Sequence, residues 1–232
     1  MSIYLTKRIE KMSKKRKKNS NYHYGAPVKT VAAPALKTGH IVSIIAAALV
    51  LIGVIVGIVA CSVSDKKQYV EMEFKGYGSI VIELCPDEAP ITVKNFVDLV
   101  EDGFYDGLTI FRAQENFVIQ GGKDDSVDLP TIKGEFTANG VKNNISHKRG
   151  VISMARTNVY DSATSQFFIT LHDSAKGSLD GLYAGFGYVV EGMDVVDAIA
   201  EDLFDHAIDT MGFVADKDAI TITSAKVIDY KK

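Results

Sequence analysis

The sequence predicts a mainly β domain, closed into a barrel, behind a basic tail and a single apolar helix. Three observations carry this reading. Short runs with a two-residue apolar period recur from Gln68 onward, only two stretches show a helical period, and residues 41–60 contain no charge. A closed sheet is favoured over a sandwich because closure removes the strand edges that invite aggregation.

The chain begins asymmetrically. Residues 1–40 hold ten Lys or Arg against Glu10 alone, so this tail is near +9 and the remainder near −12 within an overall −3. A tail this rich in cations and poor in apolar groups has no core to fold around and is expected to be disordered. The stretch from Ile41 to Ala60 follows. Twenty helical residues match a bilayer core of ~30 Å. Basic flanks stay in the cytoplasm, so the chain beyond residue 60 is expected to lie outside. The run Lys14–Lys18 is then a topology signal and lipid contact, not a nucleic-acid site. An alternative ends the helix differently: Ile58-Val59-Ala60-Cys61 resembles a lipoprotein box, in which cleavage would leave a lipidated Cys61. Residues 61–67 read as a polar linker, and residues 68–232 as the folded domain.

Val70, Met72 and Phe74 alternate with polar neighbours, Lys75-Gly76-Tyr77-Gly78 turns the chain, and Ile80, Ile82 and Leu84 alternate again, which predicts a hairpin. Ala89-Pro90 starts a helix with Val93, Phe96, Val97 and Val100 on one face and Gly103 as its stop. Further strands are expected at Thr109–Arg112, Phe117–Gln120, Val151–Met154, Gln166–Ile169, Phe186–Val190 and Ala219–Ile228, with a second helix over Met193–Ala200. Leu203–Asp218 shows no interpretable period. Cys85, at the end of an alternating run, reads as a small buried hydrophobe.

Several function classes lack their residues. The chain has no Gly-x-Ser-x-Gly elbow, His-Glu-x-x-His, phosphate loop or Cys-x-x-Cys. His23, His40, His147, His172 and His206 have no metal-ligand spacing, and no two acids stand out as an acid/base pair. No metal or other cofactor is expected.

What stands out is an ordered set of short motifs. These are Ile110-Phe111-Arg112, Phe117-Val118-Ile119-Gln120-Gly121-Gly122, Gly134-Glu135-Phe136, Ser146-His147-Lys148-Arg149-Gly150, Val151-Ile152-Ser153-Met154-Ala155-Arg156, Ser165-Gln166-Phe167-Phe168-Ile169, and Leu179-Asp180-Gly181 followed by Phe186-Gly187. From about Gln68 to the C-terminus the chain resembles the cyclophilin family, in its compact bacterial branch. The resemblance implies an eight-stranded antiparallel barrel capped by two helices, and rotation of the peptide bond before proline without a covalent intermediate. It makes Arg112 the catalytic cation, with Gln120 orienting it and Phe117 named with them as catalytic. It implies a proline socket of Phe117, Val118, Phe168 and Leu179, with Tyr183 at the rim. It has Ala155 and Arg156 hold the preceding residue, with Gln166 nearby. The implied partners are proline-containing segments of exported proteins, with a cyclosporin-like ligand as a candidate occupant of the same socket. The domain is expected to be monomeric.

Two departures bear on this expectation. Ser178 stands where the family often has Trp or His, thinning the pocket wall. The loop Lys123–Pro130 is short and carries Asp124, Asp125 and Asp128, which would open the adjoining subsite and disfavour acidic peptides. They motivate an alternative, a non-catalytic peptide-binding module or holdase on the same scaffold.

Overall fold

Alternating apolar residues become strands because burying every second side chain satisfies both the sheet ladder and the core. The structure, a computed structural model, describes residues 67–231. The expectations for the basic tail, residues 41–60 and Cys61 lie outside the described residues. Strand β1 (Gln68–Phe74) pairs with β2 (Gly78–Leu84) in the expected hairpin, with Met72 opposite Ile80. Helix α1 (Pro90–Glu101) follows, then β3 (Thr109–Gln114), β4 (Val118–Gly121), β5 (Val151–Met154) and β6 (Phe167–Thr170). Helix α2 (Lys176–Leu179), β7 (Ala184–Glu191), α3 (Met193–Asp205) and β8 (Ile220–Ile228) complete the order.

The eight strands close into one barrel, in the order β1-β2-β7-β5-β6-β4-β3-β8, with every neighbouring pair antiparallel. α1 packs against β7 and β8, and α3 against β2 and β3. Phe96 of α1 reaches the centre of the core, 5.0 Å from Phe186 and 5.2 Å from Tyr105 between ring centroids.

The structure differs from expectation in three places. α2 was not expected: one turn is too short to show a period, and Gly177 and Ser178 are poor helix formers. α3 runs on to Asp205, so the start of the uninterpreted stretch is helical and buries Leu203. Cys85 is half-buried instead of buried; burial still pushes its thiol up to about 11, which keeps it protonated and unreactive.

Two buried polar groups tie loops to the barrel. Ala89 offers no side-chain cap to α1. Glu135, 2% exposed and more than forty residues away, supplies one: its carboxylate accepts from the backbone N–H of Ile91 (3.0 Å) and of Thr92 (2.7 Å) and from the Thr92 hydroxyl (2.7 Å). An anion there also faces the positive end of the helix. His147, fully buried, sits with Nδ1 2.9 Å from Asp180 Oδ1 and Nε2 3.0 Å from Ser153 Oγ. A carboxylate can only accept, so Nδ1 carries the hydrogen and Nε2 accepts from the serine. Burial holds His147 below its ordinary value, partly opposed by Asp180. Burial pushes Asp180 up, but bonds from the His147 backbone, Ser146 and the His147 ring outweigh it and leave the carboxyl low.

Glu135→Ala is expected to destabilise the domain by about 3 kcal/mol, because two helix N–H groups and a hydroxyl lose a buried charged acceptor. Urea unfolding of a fragment beginning near Gln68 measures this, and an unchanged midpoint would refute the cap. A second outcome concerns pH. The unfolded chain binds the His147 proton at its ordinary value of about 6.5, while the folded chain resists it, so the contribution is present above that pH and lost as pH falls below it. Exposed His206, raised by its bond to the Asp202 carbonyl, acts in the opposite sense. The expectation is therefore read as a difference: His147→Gln should flatten the loss of stability between pH 7 and 5.5 relative to wild type.

Candidate active site

The site begins with a break in strand alternation. Ile110 of β3 is fully buried in the barrel, and strict alternation would send Arg112 inward after it. Between these residues the register against β4 shifts, Ile110 lying opposite Gly121 and Arg112 opposite Gln120. One extra residue, Phe111, reverses the parity, so Arg112 projects outward and Ala113 inward.

Register then lays out the face. Gln120 is opposite Arg112 on one side and Phe168 of β6 on the other. Arg112 Nη1 donates to Gln120 Oε1 (2.9 Å), and Gln120 Nε2 donates to Gln166 Oε1 (3.0 Å), so one polar row runs from β3 across β4 to the residue just before β6. Arg112 Nη2 donates to Gln114 Oε1 (2.8 Å) and Nε to the Met211 carbonyl (2.8 Å). The Phe213 ring lies 5.5 Å beneath Cζ. Three of the five guanidinium N–H donors are thus committed and two remain for a ligand. Burial lowers the Arg112 pKa from its ordinary value, opposed by Asp209 and Tyr183, and an arginine in this setting stays charged.

Beside the row lies a second apolar cluster, separate from the barrel core. Val118, Phe168, Ala175 and Leu179 are buried together, with Phe117, Ala155 and Tyr183 packed partly buried around them. Ala175 and Leu179 come from α2 and the turn before it, which explains why β6 is buried on both faces. The Phe168 ring meets Tyr183 edge-on at 5.5 Å and stacks on His147 at 6.0 Å.

The resulting cavity, about 120 Å³, is lined by Arg112, Phe117, Val118, Gln120, Ala155, Arg156, Phe168, Leu179 and Tyr183. Nine of the ten residues named from the sequence therefore meet at one place. The tenth, Gln166, lies next to it, hydrogen-bonded to Gln120 and facing an adjoining depression of about 370 Å³. Asp124, Asp125 and Asp128 line that depression. Arg156 is a wall and not a free charge: its Cζ lies 4.6 Å from the Tyr183 ring centroid and 5.0 Å from those of Phe136 and Tyr160. It donates to the Leu182 and Thr157 carbonyls. Ser178 is exposed on α2 and contributes nothing to the lining.

Three contributors were not named from the sequence. Gln114 shares the face of Arg112 two residues on, a signal that alternation contains. Met211 and Phe213 lie in the uninterpreted stretch, and no periodicity marks them. Among the described residues no cluster of three His, Cys, Asp or Glu could hold a metal ion, and no helix is long and apolar enough to cross a membrane.

Comparison with known proteins adds a relationship to this geometry. The sequence profile described as "Cyclophilin type peptidyl-prolyl cis-trans isomerase/CLD" matches residues 69–227. The chain is 44% identical over 127 residues to "Peptidyl-prolyl cis-trans isomerase A" of Dickeya dadantii, a match covering 53% of this chain and 67% of that protein. It is 41% identical over 129 residues to "Peptidyl-prolyl cis-trans isomerase B" of Escherichia coli, covering 53% and 79%. A crystal structure of a cyclophilin type peptidyl-prolyl cis-trans isomerase of Cryptosporidium parvum, obtained in the presence of the dipeptide Ala-Pro, shares the fold with a TM-score of 0.58 at 23% identity. That match covers 70% of this chain and 100% of the other.

Proposed function

Because this chain belongs to the cyclophilin-type peptidyl-prolyl cis-trans isomerases and is an isomerase of that class, we propose that it turns Xaa-Pro bonds by holding Arg112 against the prolyl nitrogen while the socket grips the ring. The observation that carries this reading is the pairing of a fixed guanidinium with a small apolar cavity on one face. Resonance gives the bond a barrier of ~18–20 kcal/mol. At the top of that barrier the nitrogen lone pair leaves conjugation and becomes a better hydrogen-bond acceptor. A cation already aimed at that position stabilises the twisted amide more than the planar one, and only such differential binding raises the rate. No nucleophile or proton transfer is required.

The other residues take supporting parts. Phe117, Val118, Phe168 and Leu179 exclude water from the proline ring, and Tyr183 closes the rim. Gln120 holds Arg112 while Gln166 holds Gln120. The backbone of Ala155 and Arg156 runs on from β5 beyond its last pair with β6, where Ala155 N–H still donates to the Gln166 carbonyl (2.8 Å), and offers an extended peptide a place to align. The substrates are proline-containing segments of exported proteins. The sequence supports an extracytoplasmic position for the domain, tethered through residues 41–60 or through a lipid on Cys61.

Arg112→Ala is expected to lower isomerisation of a short Xaa-Pro peptide by about 100-fold with peptide affinity little changed. Arg112→Lys, which restores a charge but not the fork, should remain well below wild type. Equal rates for wild type and Arg112→Ala would remove the mechanism, and a wild type that binds the peptide without turnover would favour a holdase. The tether is tested separately by the mass of the protein extracted from membranes. An intact chain identifies an uncleaved anchor, and a lipid-modified terminus at Cys61 identifies a lipoprotein. A soluble protein with neither would end the tethering proposal.

A further inference from the structure

The stretch between α3 and β8 hooks over the outside of β3 at the one point where Arg112 leaves it. Ala113 N–H donates to the Gly212 carbonyl (2.8 Å), Val214 N–H to the Phe111 carbonyl (3.1 Å), and Arg112 Nε to the Met211 carbonyl (2.8 Å). Phe213 stacks nearly parallel on Phe111, centroids 6.1 Å apart, and its ring also lies under the guanidinium. The hook therefore touches the bulge residue Phe111, the backbone of Ala113 beyond it and the side chain that the bulge redirects.

One side chain folds the hook together with a backbone bond from Ile208 N–H to the Phe213 carbonyl (2.8 Å). Asp209 Oδ1 accepts from Met211 N–H (2.9 Å) and from Phe213 N–H (3.1 Å), while Gly212 N–H donates to the Asp209 carbonyl (3.2 Å). An aspartate that bonds the backbone two and four residues on closes a tight turn. The turn needs Gly212: its φ is +82°, and a Cβ there would stand 1.9 Å from the Ala113 carbonyl. Met211 and Phe213 are thus both tied to Asp209, whose charge also acts on Arg112 against the effect of burial.

We propose that Asp209 is a positioning residue for the isomerase: it shapes the turn whose Met211 carbonyl and Phe213 ring fix the direction of the Arg112 guanidinium. The proposal rests on Arg112 being the catalytic cation. The Nε bond and the ring beneath Cζ restrain the plane of the fork of a side chain that lines the socket. Without them the side chain retains its charge and Gln120 but gains freedom to swing.

Asp209→Ala should lower kcat for a short Xaa-Pro peptide about tenfold and leave KM within about twofold, since a misaimed catalytic group costs rate more than binding. Asp209→Asn keeps the acceptor oxygen and should recover most of that rate. In the Arg112→Ala background, Asp209→Ala should bring no further loss, because two residues acting through one group are not additive. Independently of activity, the Arg112 Nε–H should exchange with water faster in Asp209→Ala than in wild type. The proposal is overturned by an equal loss in both backgrounds, by an unaltered kcat, or by unaltered Nε–H exchange in a folded Asp209→Ala protein. If Arg112→Ala itself leaves the rate unchanged, the assignment of Arg112 fails and this proposal with it. Loss in Arg112→Ala beside a fully active Asp209→Ala overturns this proposal alone. Should Asp209→Ala unfold, Asp209→Asn and Gly212→Ala carry the test. Gly212→Ala should press the hook off β3 and lower kcat, and full activity with Gly212→Ala would count against it.

Discussion

The site depends on one reversal of side-chain parity in β3. A strand with Ile110 pointing inward would bury the arginine two residues later, and an unpaired cation in that core costs far more than any one contact returns. The single unpaired residue Phe111 sends Arg112 outward instead, opposite Gln120 and in line with Phe168. Register supplies the rest of the layout. Once Arg112 faces out, the spacing of neighbouring strands puts a glutamine beside it and an aromatic ring beyond that.

The domain also divides its apolar residues between two tasks. The large cluster fills the barrel and carries its stability, while the small one sits outside the sheet, roofed by α2, and forms the socket. The two share β4 and β6, whose alternate residues serve opposite faces. Arg156, packed against three rings and bonded to two backbone carbonyls, braces Tyr183 as a neighbouring wall of the cavity. It gives the socket a rigid side without using charge for recognition. His147 stacks in turn on Phe168 and lies outside the cavity lining.

Much of this was legible in the residues. The strand runs and both long helices could be read because each buries a regular fraction of its side chains, and the socket residues could be named because they lie in contiguous motifs that resemble a known family. Bounds shifted by a residue or two, as at Phe117 and Gln166, where pairing and not apolarity defines the strand. α2 escaped because four residues cannot display a period. Glu135 sat in a noted motif, yet its capping of α1 joins positions more than forty residues apart, which no local pattern reports. The bulge at Phe111 and the hook at Asp209–Val214 escaped for the same reason: both are defined by what packs across from them.

The barrel closes by pairing β1 with β8, the first of the described strands with the last, and the guanidinium is held by a carbonyl 99 residues further along the chain. A polypeptide emerging from the ribosome can form the first hairpin and α1 early, but neither the seam nor the arginine's support exists until the segment up to residue 228 has been made. Competence therefore arrives late and all at once. Until then a growing copy of this isomerase is itself incomplete, exposing Val70, Met72 and Phe74 with no partner strand on one side.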